Sequence, residues 1–172
     1  MDNIAEQLIS KQPTSGDRAK LALISVGGIL LASVAMFFAI ITGIMVLVLV
    51  AVGLIAGTVY YISGAYVEYE YIITNDEMDI DKIIGKRKRK RMITVDLSGA
   101  EDFAPYPSEQ DIKADATVFA TSGSEKDAYY LVTAHSSYGK VKIIFNPNEK
   151  IREAIMQELP NALRIKIKHN VK

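Results

Sequence analysis

Six basic residues stand in line, Lys86, Arg87, Lys88, Arg89, Lys90 and Arg91, with no acid among them. Side chains of this kind bind anions, lysine as a point charge and arginine as a planar fork. Anionic lipid headgroups and an acidic protein surface are the ligands that fit. Nucleic acid does not: residues 67–172 hold 17 of the 20 basic and 17 of the 20 acidic side chains, and no aromatic residue interleaves the run. A purely structural role competes with binding. Glu68, Glu70, Asp76, Glu77, Asp79 and Asp81 precede the run, and cross-strand pairing would neutralise part of it. Charges at a sheet edge also discourage edge-to-edge association.

The other chemically able residues are poorly arranged for chemistry. Glu101, Asp102, Glu109, Asp111 and Asp115 surround Pro105 and Pro107. They lack the close oxygen spacing and bend glycine of a hard-cation loop, so a solvated loop is expected. His135 sits beside Ser136 and Ser137, without the orienting acid and oxyanion donors that a nucleophilic site needs. His169 lies in a basic tail and is expected to be exposed. There is no phosphate-binding glycine loop, HExxH or GxSxG, and no cysteine for a thiolate, a zinc site or a disulfide. No enzyme activity, cofactor or metal is expected.

The elements that position these residues begin with an apolar block. Lys20 and Glu68 bracket 47 uncharged residues. As one helix the block would run about 70 Å, against a hydrocarbon core of about 30 Å. Two crossings fit, broken at Thr42-Gly43, with helices over about 21–41 and 44–66. A helical hairpin buried in a soluble core would need a larger shell than the remaining residues supply. A cleaved signal peptide fits neither the length of the block nor the acids Asp2, Glu6 and Asp17 before it. Lys11, Arg18 and Lys20 flank the first helix, and Lys82 and the 86–91 run follow the second. The positive-inside rule then places the protein in the cell membrane, multi-pass, with both termini cytoplasmic. Tyr60, Tyr61 and Tyr66 would form an interfacial belt. In the second helix Gly53, Gly57 and Gly64 form a small-residue face. It suits packing either on Gly28, Ala32, Ala35 and Ala39 of the first helix or on a second copy.

Residues 1–20 read as a cytoplasmic segment. Asn3 and Glu6 have capping-box spacing, and Ile4, Leu8 and Ile9 share one helical face, so a short interfacial helix or a frayed tail is expected there. Residues 67–172 are long enough for one compact domain. Period-two alternation marks strands near 67–73, 78–84, 93–97, 116–121, 128–135 and 140–145, with a seventh if 104–106 pairs. The basic run falls on the hairpin joining the second and third. One helix follows over 147–159, capped by Asn146, opened by Pro147 and ended by Pro160. Leu163, Ile165 and Ile167 alternate with Arg164, Lys166 and Lys168, which suggests a last short strand or extended tail.

Residues 67–103 resemble the opening of the bacterial pleckstrin-homology-like (PH-like) domains. The likeness is carried by Tyr71-Ile72-Ile73-Thr74-Asn75-Asp76-Glu77-Met78, then Gly85, the basic residues, Ile93 and Leu97. Val95-Asp96-Leu97 departs from the pattern, which usually has a proline before the leucine, and the acidic connection 101–115 is longer. The whole chain is similar to small membrane proteins of Gram-positive bacteria that join a helical hairpin to such a domain. The resemblance implies an α+β membrane protein: a two-helix transmembrane hairpin, then an antiparallel PH-like sheet or barrel with one C-terminal helix.

Three roles are compatible with this reading. The first is a non-catalytic interaction domain held at the inner leaflet for a protein partner, and it is the one the sequence favours. The second is an anionic-lipid-binding domain docking through 86–91. The third is a structural subunit of a membrane assembly, packed through Gly53 and Gly57.

Overall fold

The computed structural model describes residues 3–107, 113–124 and 126–170. The chain divides into two compact units: Pro13–Tyr66, and the residues up to Gln12 together with those from Val67 onward.

The first unit is a helical hairpin. Helix α1 (Ser15–Thr42) opens on a capping box in which Thr14 and Asp17 satisfy each other's backbone N–H groups, six residues before the expected start. It ends at Gly43, where the break was expected, and α2 (Met45–Gly64) follows. At 28 and 20 residues both are long and apolar enough to cross a membrane, and only 17% and 6% of their most apolar windows are buried within the chain. Neither helix is thus buried within this chain as a core hairpin would be. Ser25, Ser33, Thr42, Thr58 and Ser63 each donate their hydroxyl to the carbonyl four residues back, so these hydroxyls are satisfied within their own helices.

Small residues bring the helices together. Ala32, Ala39 and Ala51 are buried between them, and Gly28 packs so closely on Thr58 that a Cβ would collide with the threonine side chain. Gly28→Leu should therefore force the helices apart, costing about 1–3 kcal/mol. We expect it to lower the thermal midpoint in detergent, whereas Gly57→Leu, at an open position, should leave the single-chain midpoint nearly unchanged.

The second unit packs two four-stranded sheets face to face. One has the order β1 (Ile4–Ser10), β2 (Val67–Thr74), β3 (Glu77–Ile84), β4 (Lys88–Asp96), all antiparallel. The other has the order β5 (Ala100–Pro105), β7 (Tyr129–His135), β8 (Gly139–Phe145), β6 (Ala116–Ala120). Tyr71, Ile73, Met78, Ile80 and Val95 meet Phe103, Leu131, Ile143 and Phe145 in the core. Helices α3 (Glu149–Glu158) and α4 (Asn161–Asn170) close it with Ile151, Ile155, Leu159 and Leu163. The architecture is the expected α+β PH-like fold with a helical hairpin.

Four details depart from the sequence reading. Residues 4–10 form neither an interfacial helix nor a frayed tail; they are strand β1, paired with β2 along its whole length. Ala5, Gln7 and Ile9 turn inward, while Ile4 and Leu8, which suggested a helix face, are 62% and 53% exposed. Second, β6 runs parallel to β8, because the long connection after β5 carries the chain past β7 and β8 to the far edge. Third, α3 is capped by Asn148, whose side chain accepts the Ile151 N–H. Asn146, the expected cap, is buried and accepts from Ser122 while donating to the Ser124 and Lys126 carbonyls. Fourth, 163–167 is helical, since Leu163 and Ile167 lie one turn apart on the core side and Ile165 is left exposed. The 104–106 strand begins earlier, as β5, and pairs with β7.

Candidate functional site: the basic hairpin

The basic run is mostly strand. Lys88–Arg91 open β4, and only Lys86 and Arg87 belong to the turn after Ile84 and Gly85. The Arg87 N–H bonds the Ile84 carbonyl, and Gly85 and Lys86 have φ of 60° and 58°. Positive φ at both central residues is what a tight hairpin turn matching strand twist requires. Glycine adopts it freely, whereas at Lys86 it costs roughly 1–2 kcal/mol, so the lysine holds the tip against its own preference.

A β-bulge sorts the charges. Ile80 pairs with Ile93 but Asp81 with Arg91, so Met92 is the extra residue and alternation is reset before the run. Arg89 and Arg91 therefore face away from the core, beside Glu70, Asp79 and Asp81. Arg89 Nη2 lies 2.6 Å from Glu70 and its Nε 3.9 Å from Asp81. Arg91 reaches Asp81 and Asp79, each at 2.5 Å. The bond to Asp81 raises the Arg91 pKa further above neutrality. Glu70 goes the other way: burial pushes its carboxyl above the ordinary glutamate value, outweighing the Arg89 guanidinium, and the Glu6 and Asp81 carboxylates add to the rise.

The lysines face the opposite way. Lys90 stands directly across from Lys82, and Lys88 from Ile84. Among the described residues Lys82, Lys86, Lys88 and Lys90 make no ion pair. Like charges directly opposite are unfavourable. The pair Lys82–Lys90 is thus a cost the sheet carries at this end. Lys82 lies outside the run, and only the register reveals it as part of the patch.

The hairpin's position also follows from register. Lys86 is 19 residues past Val67 in sequence, but β2 and β3 fold back on each other, and Ile84 pairs with Val67. Ser10 pairs with Glu68, and the Lys11 N–H bonds the Val67 carbonyl. The turn thus shares its end of the sheet with the strand end that leads into α1 and the one that follows α2.

The remaining candidates are structural. His135 Nδ1 accepts the Ser137 N–H within the β7–β8 turn, and its ring lies against Tyr138. Glu101 pairs with Lys140 at 2.6 Å. Asp102 accepts the Tyr130 hydroxyl, and Asp115 accepts the Lys140 N–H. Glu109 and Asp111 lie outside the described residues, as does the side chain of His169. Among the described residues no group of three or more His, Asp or Glu could hold a metal. A Cβ on Gly53, Gly57 or Gly64 would meet nothing, so these glycines are not the ones packed against α1; Gly53 and Gly57 line an open groove with Ile24, Val50 and Tyr61.

Two stacked sheets with C-terminal helices over the core and a charged hairpin at one end define a PH-like domain, here joined to two candidate membrane helices. The chain belongs to the family described as Bacterial PH-like domain (DUF6106), whose model matches residues 1–165 and so takes in β1 and the helical hairpin. PH-like domains are in general non-catalytic. No curated protein and no solved structure matches the chain.

Proposed function

We propose that the protein is a non-catalytic, membrane-anchored interaction domain. Its hairpin crosses the cell membrane twice with both termini in the cytoplasm, and its β3–β4 hairpin docks on anionic lipid headgroups. The observation that carries this reading is the register. The turn at Lys86 returns to the level of Val67, and Lys82, Lys88 and Lys90 beside it have no carboxylate partner among the described residues. Each lysine near an anionic leaflet contributes about 1 kcal/mol, so the four give at most about 4, less as salt rises. The pairing of Ser10 with Glu68 supports a common side for both membrane flanks, in keeping with the basic flanking residues.

The test uses the full chain in lipid nanodiscs. Because the protein has no cysteine, Arg87→Cys carries a single environment-sensitive fluorophore at the turn. We expect a blue shift in anionic but not zwitterionic discs, reversed by high salt. Combined Lys86→Gln, Lys88→Gln and Lys90→Gln should abolish it. A signal indifferent to lipid charge would sink the lipid reading.

A second reading, a protein partner, is favoured by the outward face of the first sheet. There Ile4 and Leu8 are exposed next to Glu6 and Glu70. A basic segment with apolar side chains would suit that face.

A further inference from the structure

The six basic residues are not equally available, and the division has a mechanical consequence. Arg89 is 55% exposed at its side chain, so it is free to move, yet its two partners are among the least exposed carboxylates of the domain, at 6% and 3% for the side chains of Glu70 and Asp81. Arg91 occupies Asp81 and Asp79 at shorter range. Glu70 is thus the principal counter-charge of Arg89.

We infer that Glu70 is a latch on the docking hairpin: ionised, it holds Arg89 on the outward face of the sheet, and protonated, it releases Arg89 to the anionic surface, so that docking tightens in mild acid. This rests on the docking reading above. The groups facing Glu70 can be read around it. From β1 come Leu8 opposite, with Glu6 and Ser10 diagonal to it. From β3 come Asp81 opposite and Asp79 diagonal, and beyond them on β4 lie Arg89 and Arg91. On β2 itself Glu68 shares the face, bonded to the Ser10 hydroxyl. Among these neighbours the acids outnumber the two arginines, so the neighbourhood favours a proton on one of them. Burial and the Glu6 carboxylate select Glu70, whose pKa is raised. As pH falls, Glu70 therefore takes its proton at milder acidity than an ordinary glutamate, and the ion pair to Arg89 is lost first.

The experiment follows the Arg87→Cys fluorophore in full-length protein in anionic nanodiscs, reading the ratio of docked to undocked hairpin from about pH 7.5 to about pH 5. Glu70→Gln, the neutral isostere of the protonated side chain, should raise that ratio about fivefold at neutral pH, the effect of one further cation near an anionic leaflet, and flatten its pH dependence. Glu77→Gln makes the same change of charge on an exposed residue of the same sheet and should do neither. Arg89→Gln, which removes the cation that the latch would release, should remove the tightening in acid. If Glu70→Gln behaves as Glu77→Gln, or Arg89→Gln keeps the wild-type pH profile, the latch is overturned while docking stands. If docking ignores Lys86, Lys88 and Lys90, the docking reading falls and takes the latch with it.

Discussion

A fragment that begins at Val67 should fail to fold, whereas one that joins residues 1–12 to Val67 through a short linker should fold without the membrane helices. The first fragment lacks β1. It loses a seven-residue ladder, buried Ala5 and partly buried Ile9. It also loses four side-chain hydrogen bonds to residues 146–158. Asn3 donates to the Ala154 carbonyl and to Glu158. Gln7 donates to the Asn146 carbonyl and accepts the Asn148 N–H. Each such bond is worth about 1 kcal/mol, and a whole domain holds only about 5–15. The truncation also bares β2, with Tyr69, Tyr71 and Ile73, as a new sheet edge, an invitation to aggregate. In the second fragment the Ser10–Glu68 pair and the bond from the Lys11 N–H to the Val67 carbonyl make a ready hairpin that about four linker residues can close. Cooperative thermal unfolding by circular dichroism distinguishes the two. A cooperative melt from the Val67 fragment would mean that β1 is dispensable.

The same strand shows where the sequence was legible and where it was not. The membrane helices announce themselves, because 47 uncharged residues between Lys20 and Glu68 leave few alternatives. Strands β2 and β3 are also plain, since each buries mainly one face and alternates accordingly, and β7 and β8, buried on both faces over Tyr130–Thr133 and Ile143–Phe145, stand out as short apolar runs between turn residues. Strand β1 hides because its inward residues are Ala5, Gln7 and Ile9, and its larger Ile4 and Leu8 sit outside, four apart like a helix face. Its partner lies about 60 residues away in sequence, beyond any local signal. Helix α4 hides for the converse reason: Leu-Arg-Ile-Lys-Ile alternates as a strand would, while Leu163 and Ile167 alone reach the core.

The candidate site was half legible. The run 86–91 is conspicuous, and the preceding acids suggested partial neutralisation. The division between bound arginines and free lysines depends on a bulge at Met92, and neither composition nor spacing marks a bulge. Shifted by one residue, the same run would turn Lys88 and Lys90 to the acids and leave the arginines free. The structural reason for Arg at 89 and 91 is then its fork, which reaches two carboxylates at once where lysine would satisfy one.

Removing the Tyr71 hydroxyl should cost the domain a large part of its stability without altering its core volume. Tyr71 is fully buried on β2, and its ring meets Phe145 edge to face at 5.4 Å. Its hydroxyl donates to the Ala120 carbonyl at the end of β6 and accepts the Asn146 N–H, 3.3 Å away, beyond the end of β8. One oxygen thus ties the first sheet to two strand ends of the second, beside the loop that Asn146 organises. Both backbone groups are buried, so Tyr71→Phe leaves two polar groups unpaired at about 1–3 kcal/mol each. Tyr71→Ala adds a cavity and, at about 3–5 kcal/mol for the lost ring, should leave no folded domain at room temperature. Burial holds the Tyr71 pKa far above neutrality, so the phenol keeps its proton and the Tyr71→Phe loss should be the same at every pH where the domain folds. Urea unfolding of the fused 1–12/67–172 domain provides the measurement: the midpoint should fall with an unchanged slope. A shift equivalent to less than about 0.5 kcal/mol would show that water or a relaxed backbone satisfies Ala120 and Asn146 equally well, and that the Tyr71 hydroxyl does not hold the two sheets together.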